Sequence, residues 1–160
     1  MCLSYIDVLF GIEPYHLWKD EQDHQTGDVK DGVPFQPDFK QQDEVFHGFV
    51  KRYPNIKCIA RHVRYAHSCS ENSLMAYLWY DGKTYESQKL RFHILDRVGG
   101  GDAFVSGIIY ALMNEYKPQD IADFGVAASA VKHTIHGDGN ITDDVSLIEH
   151  IMQMNFDIKR

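Results

Sequence analysis

The sequence predicts an α/β fold, a mostly parallel sheet with helices on both faces, and three observations carry that expectation. Short apolar runs recur at 5–11, 56–60 and 91–95, the wording of strands covered on both sides. Between and after them lie segments with apolar residues at helical spacing, such as Val45, Phe46, Phe49, Val50 and Tyr53. The chain is 160 residues long, 44% apolar and 24% charged, which suits one domain over 1–160 with a single core and no disulfide or metal staple.

The elements follow in order. The run 5–10, ending in Gly11, is expected to be the first strand. From 19 to 42 the text is rich in Asp, Gln, Gly and Pro, so no regular structure is assigned there. Asp43 is a candidate cap for a helix stopped by Pro54, and the strand 56–60 follows. The stretch 74–80 and the run starting at Lys83 flank Asp81-Gly82, a strong two-residue hairpin signal. A further strand over 91–95 runs directly into Asp96-Arg97-Val98-Gly99-Gly100-Gly101-Asp102. Phe104, Ile108, Ile109, Leu112 and Tyr116 then trace one helical face, ended by Pro118. Ile121, Phe124, Ala128, Val131 and Ile135 trace a second, and Thr142 with Asp143 and Asp144 opens a third.

Composition excludes several classes. With 16 Lys and Arg against 23 Asp and Glu, the formal net charge is −7, and no basic stripe exists to displace counterions from a nucleic acid. No apolar run is long enough to span a bilayer and the start lacks a secretion pattern, so a cytoplasmic protein without a membrane partner is expected. The three cysteines, an odd number, suit a reducing compartment. Cys58, His62, His67 and Cys69 form a set that could be weighed for zinc, but their spacing matches no common structural zinc pattern. The expectation is a strand cysteine pointing into the core, with the histidines in a polar loop.

The informative feature is the strand that ends in Asp96, three glycines and an acid entering a helix. Glycines let the backbone approach a phosphate closely, and the N–H groups of a first helical turn direct partial positive charge at the same spot. Asp102 beside such a cradle would repel phosphate if it served only binding, so it is the candidate base that takes a proton from an attacking hydroxyl. The bland alternative is a flexible connection in which Asp102 only caps the helix. Two familiar phosphate motifs are excluded: counting on from Gly101, Phe104 occupies the position where a dinucleotide fingerprint wants Gly or Ala, and Asp102-Ala103 replace the Lys and Ser or Thr of a P-loop.

The segment Asp96 to Phe104 resembles the second signature of the ribokinase-like (PfkB) sugar kinases, written D-T-x-G-A-G-D-x-F, with Arg97 where Thr is usual and Gly100 where Ala is usual. The segment 127–134 and the Gly137-Asp138-Gly139 turn also resemble that family's nucleotide side, and the wording around 7–17 and 61–73 is most similar to its 2-keto-3-deoxygluconate kinases. The resemblance implies a three-layer ribokinase-like sheet truncated to the carboxy-terminal half, because family members are roughly twice as long. The glycine-rich sugar-recognition segment and the lid would lie in the missing half. It implies ATP-dependent phosphorylation of a sugar or sugar acid, with Asp102 as base and Gly99, Gly100 and Gly101 as anion hole. Val126, Ser129, Lys132 and Thr134 would border the nucleotide, and Arg64, in a loop after 56–60, would contact nucleotide or substrate or simply be exposed. Asp96 would help hold a monovalent cation such as K+, and Glu13, the sole acid in the place of an N-x-x-E motif, would fall in the Mg2+ region. The expected partners are ATP, a small sugar acid, and either the missing half or a second copy. The alternative is a non-catalytic nucleotide-binding or structural remnant of such a kinase.

Overall fold

The computed structural model describes residues 2–12, 38–139 and 145–153, so Glu13 and the expected helix start at Thr142 lie outside the described residues. After a 3-10 turn, Cys2–Tyr5, the element order is β1 (Val8–Phe10), α1 (Phe39–Arg52), β2 (Cys58–Ala66), β3 (Glu71–Tyr80), β4 (Lys83–Glu86), β5 (Leu90–His93), α2 (Gly100–Met113), α3 (Pro118–Lys132) and α4 (Val145–Gln153). Among the described residues, no helix is long and apolar enough to cross a membrane.

The helix α1 begins earlier than its apolar face suggests. Asp38, not Asp43, is the cap: its carboxylate accepts from the Gln41 amide (2.8 Å), while Gln41 Oε1 accepts from the Asp38 amide, a reciprocal capping box. The helix ends at Arg52, just before Pro54, as expected.

The sheet is three-layered with helices on both faces, but it is not mostly parallel. Only β1 and β2 run parallel; β3 pairs antiparallel with β2, β4 and β5. Apolar runs buried on both faces look alike in either direction, and the short 66–71 connection leaves β3 no room for the crossover that a parallel return needs. The hairpin sits where Asp81-Gly82 places it: both residues have positive φ, 48° and 80°, as a type I′ turn requires.

Strand parity separates two cores. Ile59 and Val63 on β2 join Met75, Tyr77 and Trp79 on β3 beneath Val45, Phe46 and Phe49 of α1. Cys58 and Ala60, with Leu74, Ala76 and Leu78, face the opposite way, under Phe104 and Ile108 of α2 and Phe124 and Val131 of α3. Burial on that side pushes the Cys58 thiol up to about 12, so it is an inert core group.

The strands β4 and β5 share one edge of β3 and differ in register by one residue, because Tyr80 pairs Lys83 whereas Leu74 pairs Leu90. Ser87 accommodates the bulge. Its amide donates to the Ala76 carbonyl (2.8 Å) and its hydroxyl accepts from the Ala76 amide (2.8 Å), replacing a ladder carbonyl. The neighbouring Gln88 amide donates to Asp123 of α3 (2.7 Å), which ties the bulge to the helical layer. Replacing Ser87 with Ala leaves the buried Ala76 N–H without this acceptor, and urea denaturation is expected to show a loss of about 1–3 kcal/mol.

Candidate functional site

The site is built where β5 ends and α2 begins. Gly99 is the residue before α2 and adopts the left-handed conformation, φ 76°, with no side-chain cap on the helix. The first helical bond runs from the Ala103 amide to the Gly99 carbonyl (2.9 Å), so the N–H groups of Gly100, Gly101 and Asp102 precede the intrahelical ladder. Gly101 and Asp102 are exposed. Asp102 occupies the third helical position, so its carboxylate meets the positive end of the helix dipole without serving as the cap.

The end of α3 holds this turn. The His133 carbonyl accepts from the amides of Leu95 (2.8 Å) and Asp96 (3.1 Å), and the Ser129 hydroxyl donates to the Gly100 carbonyl (2.8 Å). His133 Nδ1 donates to the Ser129 carbonyl (2.7 Å), which fixes its tautomer when neutral. Its ring fills the space beside Gly100: a Cβ there would lie 2.3 Å from His133 Cε1. Gly100 is therefore required by packing against α3, whereas Gly101 faces nearly open space.

Asp96 clasps the loop. One carboxylate oxygen accepts from the Val98 amide (3.0 Å) and the other from Gly137 (2.8 Å). These two bonds, first Val98 then Gly137, hold its pKa below the usual 3.8, with the Lys132 charge adding to the effect. A monovalent cation at Asp96 would have to share the carboxylate with both amides. Among the described residues, no group of three or more His, Cys, Asp or Glu side chains could hold a metal ion.

The expected nucleotide residues divide sharply. Val126 is fully buried in the core, and Ser129 is buried and spent on Gly100, so neither side chain is open to a ligand. Lys132 is also fully buried, its ammonium donating to the carbonyls of Ile135 (3.2 Å) and Gly137 (2.6 Å). Its role is to fold the 135–137 turn onto the site. The 3.6-residue repeat turns these positions inward, a fact that resemblance alone did not carry. Thr134 is exposed, and it lines a cavity of about 230 Å³ between β5, α3 and α4, with Leu90, Phe92, Val131 and Ile151. Phe92 reaches from that cavity to His133, 5.1 Å between ring centroids, so cavity and turn adjoin.

Arg64 is not in a loop. The strand β2 continues to Ala66, and Arg64 pairs with Leu74 on the face that carries Cys58 and Ala60. His62 shares that face and tilts over Phe104, 4.9 Å between centroids. Arg64 acts electrostatically on both His62 and His133, and Arg97 acts on His133 while donating to the Cys69 carbonyl (3.1 Å). Burial first, then Arg64 among the charges they share, lowers the pKa of both imidazoles. Lys132, His133 and His62 thus pack beside Gly99, Gly100 and Gly101, and Arg64 and Arg97 act on His133, in a chain of net charge −7. The sequence carried a signal for His62 and Arg64: Ile59, Val63 and Tyr65 continue a two-residue alternation past residue 60. His133 carried only its place in the 127–134 segment.

Residues 75–144 match the model of the pfkB family carbohydrate kinases. This stretch is similar to pfkB-family sequence. A 5-dehydro-2-deoxygluconokinase of Clostridium botulinum is 31% identical over 71 residues, 44% of this chain and 20% of that protein. The crystal structure of a 2-dehydro-3-deoxygluconokinase from Thermotoga maritima superposes with a TM-score of 0.76 at 26% identity, over 94% of this chain and 42% of that one. A PfkB family carbohydrate kinase from Listeria grayi gives 0.69 at 25% identity, with the same coverages. The fold is ribokinase-like, and the chain spans about a fifth of the curated relatives' length and under half of the solved ones.

Two expectations follow from this turn. Gly100→Ala should cost about 1–3 kcal/mol in thermal denaturation through its collision with His133, and His133→Ala in the same chain should recover part of that loss. The carboxyl carbon of Asp96, followed by NMR, should titrate below 3.8, the ordinary aspartate value. Because its folded pKa is depressed, the Asp96 clasp stabilises the fold above that ordinary value and is lost as pH falls through the folded one.

Proposed function

We propose that this chain supplies the phosphate-binding turn, the base and the nucleotide side of an ATP-dependent kinase acting on a hydroxyl of a keto-deoxy sugar acid. One observation carries the reading: the first turn of α2 presents three backbone N–H groups beside an exposed Asp102, with the Lys132 side chain packed against Gly99. Such an arrangement stabilises charge gathering on transferred phosphoryl oxygens and places a proton acceptor at the rim.

In this mechanism Asp102 takes the proton of the acceptor hydroxyl as its oxygen forms a bond to the γ-phosphorus of MgATP. The bond from that phosphorus to the β–γ bridging oxygen breaks, and ADP leaves. Gly100, Gly101 and Asp102 donate their amides to the phosphoryl oxygens. The cavity beside Thr134, apolar and adjoining the turn through Phe92 and His133, suits the adenine base. K+ near Asp96 and magnesium with the nucleotide are the ions this reading takes. The names of the Thermotoga and Clostridium relatives, both keto-deoxygluconate kinases, support a sugar acid as acceptor.

A second reading is a nucleotide-binding module without turnover. Calorimetry with ATP and magnesium, followed by an ADP-release assay with keto-deoxy sugar acids, separates the two. The assay uses this chain alone and supplemented with the amino-terminal portion of a full-length relative. ATP binding without ADP release in either format selects the module. In the active format, Asp102→Asn should lower turnover by about 10²–10⁴-fold with little change in ATP affinity. Wild-type turnover in that variant would leave Asp102 only its favourable place at the helix dipole.

A further inference from the structure

We propose that His62 is an additional anion-contact residue of this site, donating a ring N–H from β2 to an oxygen of the tetrahedral dianion bound at the α2 turn. The inference rests on the phosphate reading of that turn and adds a second element to it. His62 projects from β2 on the face that α2 covers, and its ring lies over Phe104. Its Cε1 is 4.0 Å from where a Cβ on Gly101 would sit, so the imidazole stands beside the open amides of the turn.

Among the described residues, neither ring nitrogen of His62 has a hydrogen-bond partner. Two nearby histidines are occupied: His67 Nε2 meets the Ser73 hydroxyl (2.7 Å) and His133 Nδ1 meets the Ser129 carbonyl. A second group points the same way. Asn72 is fully buried, and neither its amide nitrogen nor its oxygen has a partner within the described chain. Its register partners are Ala66 and Phe92, which places it on the same sheet face, diagonal to Arg64. Buried polar groups are normally satisfied, so this face holds more hydrogen-bonding capacity than the chain itself uses.

The charges around His62 explain why the donor waits for an anion. Arg61 and Arg64 act on it from its own strand and His133 from the end of α3, while Asp102 lies one residue beyond Gly101 on α2. His62 keeps part of its surface exposed, yet crowding by the surrounding chain, first, and then those cations disfavour the imidazolium when no anion is bound. A dianion at the turn reverses that balance, so the bound state holds more protons on His62 and the affinity rises as pH falls through the imidazole range.

Sulfate is the probe, because it remains a dianion throughout that range. Titration calorimetry on the whole chain should show sulfate binding that tightens about three- to tenfold from about pH 7.5 to about pH 5.5. His62→Phe keeps a ring on Phe104 and removes the donor; it should bind sulfate about fivefold more weakly at the lower pH and lose most of the pH dependence. His62→Gln, which keeps a donor that does not titrate, should recover affinity but not the slope. Unchanged affinity and slope in both variants would overturn the role of His62 while leaving the turn as an anion site. A wild-type chain that binds no sulfate would overturn the phosphate reading, and this inference with it.

Discussion

The arrangement on which the site depends is the grip of the last turn of α3 on the loop between β5 and α2. Ser129, Lys132 and His133 occupy one side of that turn and reach five points of the neighbouring backbone: Leu95, Asp96, Gly100, Ile135 and Gly137. Gly137 then closes on Asp96, and the Asp138 carbonyl would lie 2.8 Å from any Cβ on Gly99. The loop is therefore held by hydrogen bonds from both its sides. A glycine-rich turn that would otherwise sample many conformations is left with one, and its entropy is lost on folding rather than when a ligand arrives.

That grip also explains which parts of the site were legible in the sequence. The strand-to-helix turn with Asp96, three glycines and Asp102 could be read directly, because tight turns and helix starts are local. The inward orientation of Val126, Ser129 and Lys132 could not, since it depends on how α3 lies against α2 and on where the 135–137 turn comes to rest. Lys132 is the instructive case. A lysine near a helix end reads as exposed, and only the carbonyls of Ile135 and Gly137 explain how its ammonium sits fully buried.

The same distinction between local and distant governs the fold. Asp81-Gly82 fixed its hairpin through backbone conformations intrinsic to two residues, and the helical faces of α2 and α3 were written in their apolar spacing. Strand direction was not legible, because pairing partners are distant in sequence and the same apolar run serves either orientation. The capping box at Asp38 and Gln41 was legible in principle; it was obscured by the polar excursion before it. The extension of β2 to Ala66 mattered most, because it turned a supposed loop arginine into a strand residue and carried His62 to the mouth of the turn.

The buried ammonium of Lys132 has a consequence for how the site behaves in salt. Its partners are neutral carbonyls rather than a carboxylate, so its charge is not cancelled locally, and it lowers the pKa of both Asp96 and His133. Mobile ions approach a surface charge freely but cannot surround one sealed inside the protein. At an ionic strength where the Debye length is about 8 Å, the exposed arginines at the rim are largely masked, while the field from Lys132 passes through protein to the turn. An anion seated at the turn thus feels a contribution from Lys132 that salt weakens less than it weakens those of the rim arginines.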